Sequence, residues 1–239
     1  MAALGVHHLL GMQRDAGIAA TSPNAAVQHC HAENASPCED SCAFCYAVLG
    51  ARAPVLCPHC SRRKLCCDEC RRRDWALHQH YCGSAGEKNV DWAIRDCSAD
   101  GRGYGVVALR DFSFGEVIMA ERCVASSPED IGALEPPSVR AAAMLLFGDT
   151  LEEKYEGYAM GRLGLSRGIF LDMGRVNHAC VPTPGDHTWL DSRECKILTA
   201  CGHIPKGMEI TFSYRGDMLL PAAERSAPFC ACAKSSASV

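Results

Sequence analysis

Residues 65–82 read LCCDECRRRDWALHQHYC, from Leu65 to Cys82. Within this stretch Cys66 and Cys70 form one closely spaced pair, His78 and Cys82 form another, and Trp75 stands three positions before His78. Upstream, Cys42 pairs with Cys45 and Cys57 with Cys60. Zinc needs four soft or borderline ligands in a tetrahedron, and a short gap lets one turn of chain present two of them at once. Four such pairs complete two sites, so the segment from Cys42 to Cys82 predicts one small module with two structural zinc ions. About forty residues cannot bury enough apolar surface to fold unaided, which makes metal binding the source of folding free energy, of order 10 kcal/mol per structural zinc. Cys67, His59 and His80 sit among the ligands but off their spacing. His80 is the one substitute for His78, and Cys38 competes weakly for Cys42.

The rest of the chain sets the frame. With 239 residues, 48% hydrophobic and 22% charged, it is long enough for one substantial domain beside the module. No apolar run approaches the ~20 residues a membrane span requires. A net charge of −4 argues against a chain that coats nucleic acid, although Cys57 to Cys82 carries six Lys or Arg against three Asp or Glu. That local excess would either favour an acidic partner or, the preferred reading, keep the module soluble as a solvated face. Net acidity and the lack of a Cys-Cys-His-His finger also speak against a specific DNA-binding regulator. Seventeen cysteines in a small secreted chain would mean disulfides, but Met1 to Ser41 lacks a basic start followed by a continuous apolar core. The expectation is reduced or metal-bound thiols in cytoplasm or nucleus.

Residues 1–41 are expected to be a disordered extension, rich in Ala, Ser, His and Asn and without sustained period. His29, Cys30 and His31 are adjacent and point apart, so they do not make a metal site. Gly83 to Glu87 reads as a short linker. From about Val90 the text is strand-like: Gly105 to Leu109 and Val117 to Ala120 are apolar β-rich runs separated by a turn at Ser113 to Glu116. Ser138 to Phe147 reads as a buried helix stopped by Gly148. Cys195 to Ala200 and Glu209 to Tyr214 again read as strands, with Pro205, Lys206 and Gly207 turning between them. The fold class is therefore α+β, mainly β, built of small sheets.

Three further motifs follow one another. The first is Gly101, Arg102, Gly103, Tyr104 and Gly105; the second is Asn177, His178, Ala179, Cys180, Val181 and Pro182; the third runs from Gly207 through Glu209 to Tyr214. The glycine turn is a poor dinucleotide fingerprint, because a strand follows it where a phosphate-binding loop would open a helix. Taken together the three motifs resemble a SET domain, and the cysteine-rich module resembles a MYND zinc finger. The combined resemblance, to SET and MYND domain protein lysine methyltransferases, spans about Cys42 to Cys232. It implies a MYND finger at 42–82, a SET domain at 90–229 and a truncated post-SET tail at 230–239. It also implies interleaved ligation, with Cys42, Cys45, Cys66 and Cys70 on one zinc and Cys57, Cys60, His78 and Cys82 on the other.

The same resemblance implies methyl transfer from S-adenosylmethionine to a protein lysine. By position, Arg102, Gly103, Tyr104 and Gly105 would contact the cofactor, Asn177 and His178 would bind its adenosine end, Phe229 would lie near its adenine, and Tyr214 would stand at the transfer point. A tyrosine suits that place because its hydroxyl can orient the amine while its ring excludes water. Cys180, Cys230 and Cys232 would supply a third zinc site, but Ser235 occupies the last ligand position of that pattern. Ala179 replaces the customary serine. In the best-known members the finger interrupts the SET domain, whereas here it precedes Gly103. The finger would then bind a partner such as a proline-rich peptide, or buttress the SET domain, and Trp75 would either line a groove or serve as its core aromatic. The alternative to an enzyme is a non-catalytic zinc-binding adaptor with a degenerate SET domain.

Overall fold

The computed structural model describes residues 36–100, 103–146, 148–158, 160–161, 167–179, 186–190 and 195–214. Most of the expected N-terminal extension, with His29, Cys30 and His31, lies outside these residues. So do Arg102, Cys180, Phe229, Cys230 and Cys232.

The cysteine-rich segment folds as a two-residue hairpin, β1 (Val55–Leu56) with β2 (Lys64–Leu65), followed by helix α1 (Asp68–His78). Cys67 explains where α1 begins. It is in extended conformation, and its sulfur accepts the Cys70 backbone N–H at 3.5 Å, capping an otherwise unpaired donor. Asp68 and Glu69 then place negative charge in the first turn, where the helix dipole favours it. The helical period puts Cys70, Asp74 and His78 four residues apart on one buried face.

The remainder alternates short strands with short helices. In order these are β3 (Trp92–Asp96), β4 (Tyr104–Ala108), β5 (Val117–Arg122), α2 (Pro128–Gly132), α3 (Pro137–Met144), α4 (Leu151–Tyr158), β6 (Met160–Gly161), β7 (Arg167–Gly168), β8 (Asn177–His178), β9 (Asp186–Leu190), β10 (Cys195–Thr199) and β11 (Glu209–Phe212). One sheet has the order β3-β4-β11-β8, antiparallel except for the parallel pairing of Thr211 with Asn177 and Phe212 with His178. A second has the order β5-β10-β9 and is antiparallel throughout. The expected α+β, mainly β class is what the chain adopts.

Two cores hold these layers. Trp92, Ile94, Val106, Phe112, Ile118, Phe170, Leu198 and Ile210 form one, drawn from both sheets. The other joins Phe44, Tyr46, Leu49 and Leu65 of the cysteine-rich segment to Ile131, Val139, Ala143 and Ile169. The finger is thus packed against α2 and α3, and its apolar residues are part of a larger core rather than a module standing free.

Three local expectations are refined. Gly83 to Glu87 is bonded into the domain, with the Gly86 N–H donating to the Val117 carbonyl at 2.9 Å and Ala85 bridging Val117, so it is not a slack linker. The helix read as Ser138 to Phe147 ends at Met144, because Leu145 closes it with an N–H to the Ala143 carbonyl. The strand read as Glu209 to Tyr214 ends at Phe212, which leaves Tyr214 to turn across β8.

Candidate metal centres and candidate active site

The eight paired ligands converge as two groups. The ligand atoms of Cys42, Cys45, Cys66 and Cys70 lie within 4.8 Å of one another, as do those of Cys57, Cys60, His78 and Cys82. The separations are 3.6 Å for Cys45 to Cys66, 3.5 Å for Cys66 to Cys70, 3.8 Å for Cys57 to Cys82 and 3.4 Å from the Cys60 sulfur to His78 Nε2. A tetrahedron with zinc–sulfur bonds of about 2.3 Å puts its sulfurs about 3.8 Å apart, so both donor sets fit a structural zinc ion. Hydrogen bonds from Cys45, Cys66 and Cys70 hold the Cys42 thiol far below the usual thiol range. The same crowding pushes Cys66 and Cys70 far above it. Four sulfurs this close cannot all ionise on their own, and a bound zinc ion would let them do so.

The bystanders have other work. Cys67 caps α1, and His59 stacks on Trp75 with ring centroids 4.8 Å apart. Trp75 meets the His78 ring edge-on at 5.9 Å, so it packs against a ligand. His80 is exposed, with its ring against Tyr81, and Cys38 packs at the edge of the sheet core.

Behind His78 stands a buried charge network. Its Nδ1 is 3.7 Å from Glu87 Oε1, which suits the tautomer that leaves Nε2 free to ligate. Burial, helped by the Arg63 charge, pushes His78 down to about 4, so the ring is neutral at pH 7. Arg63 donates to both oxygens of Asp74 at 2.7 and 2.8 Å and to Glu87 at 3.1 Å. One guanidinium therefore fixes a helix residue and the carboxylate that faces the ligand.

The candidate active site forms where β4, β8 and β11 meet. The Asn177 side-chain amide donates to the Tyr104 carbonyl at 3.2 Å and to Glu209 Oε1 at 2.8 Å. Gly105 is where these groups crowd: a Cβ there would sit 2.6 Å from the Glu209 carboxylate and 3.0 Å from the Asn177 amide nitrogen. Gly103, at φ +65°, turns the chain into β4 through a conformation that side chains disfavour. Tyr214 crosses the end of β8. Its N–H donates to His178 Nδ1 at 3.1 Å, its hydroxyl donates to the Val176 carbonyl at 3.0 Å, and its ring lies 5.3 Å from those of His178 and Phe212.

Gly103, Tyr104, Gly105, Asn177, His178 and Tyr214 are thus drawn together from three distant stretches of chain. Glu209 belongs with them, although the sequence reading gave it no role. Its place two residues after Gly207 in the third motif was the available signal. Among the described residues no helix is long and apolar enough to cross a membrane.

The SET domain family model matches residues 103–215. No curated protein matches the chain. Among solved structures the chain is similar to a Plasmodium falciparum protein put forward as a histone methyltransferase, at 18% identity and a TM-score of 0.36, over 54% of this chain and 97% of that one. It is also similar to a humanized mutant of the Chaetomium thermophilum Polycomb Repressive Complex 2 bound to an inhibitor, at 19% identity and a TM-score of 0.33, over 59% of this chain and 16% of that one. Residues 103–215 form a SET domain, and two cysteine-rich clusters of metal-binding type precede it in the chain.

Proposed function

We propose that the chain is an S-adenosylmethionine-dependent protein lysine methyltransferase of cytoplasm or nucleus, with a MYND-type zinc finger that binds a partner. The observation that carries this reading is the meeting of Asn177, His178 and Tyr214 beside the Gly103 to Gly105 turn, inside the segment that matches the SET domain. The interleaved grouping of the eight ligands supports the MYND assignment.

Bound S-adenosylmethionine would supply a methyl group on a sulfonium. The protein's task is then to hold a lysine amine in line with that methyl, an acceleration that comes from orientation rather than covalent participation. Tyr214 is fitted to this. Its proton is engaged by the Val176 carbonyl, so the phenol oxygen has lone pairs to accept a bond from an incoming amine. The Tyr214 N–H to His178 and the flanking Phe212 ring fix where that oxygen stands. At Asn177 both amide protons are engaged, which turns its carbonyl oxygen into an acceptor for a ligand donor. A substrate lysine has an ordinary pKa of about 10.4 and must arrive neutral; removal from water beside a cation lowers that value, and water can take the proton.

The test is transfer of labelled methyl groups from S-adenosylmethionine to lysine-bearing proteins and peptides, histones included. Tyr214→Phe should lower turnover by about 100-fold. Equal turnover in the variant would remove Tyr214 from the transfer point. The second reading, an adaptor without catalysis, draws on Ser235 standing where the tail pattern has its last cysteine. A protein that holds two zinc ions and a proline-rich peptide but not S-adenosylmethionine would favour it.

A further inference from the structure

The finger touches the rest of the molecule through a buried polar contact that neither the metal clusters nor the transfer site accounts for. Tyr46 follows the ligand Cys45 directly and has φ +60°, a left-handed conformation that a bulky residue rarely adopts. It is buried, and its hydroxyl donates to Glu121 Oε1 at 2.9 Å. Glu121, buried on β5, uses both oxygens on another segment: the Asp172 N–H donates to Oε1 at 2.9 Å and the Met173 N–H to Oε2 at 2.7 Å. These two amides open the short 3-10 turn Met173–Arg175, which leads straight into Val176, Asn177 and His178.

The turn has further ties to the finger side. Lys88 donates to Asp172 at 3.0 Å and to Ser41, next to the ligand Cys42, at 3.3 Å. At its far end the Val176 carbonyl receives the Tyr214 hydroxyl. A continuous run of bonds thus goes from Cys45 through Tyr46, Glu121 and the 172–176 turn to Tyr214 and Asn177.

We propose that Tyr46 and Glu121 are positioning residues, which set the 172–176 turn and through it hold Asn177 and Tyr214 in place. The first cysteine cluster is thereby a mechanical anchor of the transfer site. The carboxylate is the effective part because it accepts from three donors at once; a side chain that is itself a donor at one oxygen position opposes the Met173 N–H. Where Asn177 and Tyr214 meet cofactor and substrate, this inference rests on the methyltransferase reading. The link from finger to turn does not.

The test compares wild type, Tyr46→Phe, Glu121→Gln and, as a control that removes a hydroxyl elsewhere, Tyr155→Phe, whose hydroxyl donates to the Ser126 carbonyl. Amide hydrogen exchange over 172–178, zinc content and S-adenosylmethionine affinity are measured on the zinc-loaded full chain. Exchange over 172–178 should quicken about three- to tenfold in Tyr46→Phe and more in Glu121→Gln, and cofactor affinity should fall by a similar factor, as expected for one hydrogen bond. Tyr155→Phe should leave both unchanged whatever it does to the melting temperature. Unchanged exchange over 172–178 in Glu121→Gln with two zinc ions retained would overturn the proposal. If wild type itself does not bind S-adenosylmethionine, the methyltransferase reading fails, and exchange alone still decides the link.

Discussion

The Asn177 side chain donates to the Glu209 carboxylate at 2.8 Å, across the parallel pairing of β8 with β11. That bond crosses between two motifs that are 32 residues apart in the chain. With the Tyr104 carbonyl on β4 taking the other amide proton, a single side chain ties together three strands of one sheet.

Removing Glu209 should release it. In Glu209→Ala the Asn177 amide loses a charged acceptor, worth about 1.5–3 kcal/mol, and S-adenosylmethionine should bind at least about tenfold more weakly. Gly105→Ala attacks the same place from the other side, since its Cβ would press on Glu209 and Asn177. A cost of about 1–3 kcal/mol in stability is expected, read by denaturant unfolding. Wild-type stability in Gly105→Ala would mean that the Glu209 carboxylate swings aside at little cost.

The second cluster makes a separate prediction. Glu87 faces His78 Nδ1 and is held by Arg63, so Glu87→Gln should lower zinc affinity at Cys57, Cys60, His78 and Cys82 by about 10- to 100-fold. Competition with a chromophoric chelator reads this directly, and the Cys42 cluster should be unaffected. Complete removal of zinc should do more than unfold the finger. Phe44, Tyr46 and Leu65 share a core with α2 and α3, so the melting transition of the whole chain should move down. A chelated protein with an unshifted transition would refute that shared core.

Lys196 lies at the centre of the β5-β10-β9 sheet, 2% exposed, with its ammonium 5.8 Å from the Phe170 ring and no hydrogen-bond partner among the described residues. Burial pushes it down to about 8. A lysine whose folded value lies below its unfolded value of 10.5 destabilises the fold while protonated. That cost, on the order of 3 kcal/mol below pH 8, fades as pH rises from 8 toward 10.5. Lys196→Met should therefore be more stable than wild type at pH 7, with the gap narrowing at pH 10. A gap that does not change with pH would show that the amine is solvated.

What could be read from the sequence follows from how tightly chemistry constrains residue type. Zinc admits few ligands, so eight positions and their division into two groups were legible from spacing and resemblance, and Cys67, His59 and His80 lie outside both groups. The strands at Tyr104–Ala108, Val117–Arg122 and Cys195–Thr199 were visible as β-branched and apolar runs with turn residues between them. Other features had no local signature. Tyr46 reads as any aromatic beside a ligand, and its partner Glu121 is 75 residues away. Lys196, one charge in an apolar strand, would be placed facing water by pattern alone. Helix α3 stops at Met144 within a run that is still apolar, since a capping bond rather than composition ends it. Buttressing by the finger is a packing result, and only the shared core reveals it.

The central claim is that the Asn177 and Tyr214 arrangement is a cofactor site. Isothermal titration of the zinc-loaded protein with S-adenosylmethionine, beside Asn177→Ala, tests it most directly. The account predicts a saturable one-site isotherm in wild type and affinity at least about tenfold weaker in the variant. No heat of binding from a wild-type protein that is folded and holds both zinc ions would contradict it.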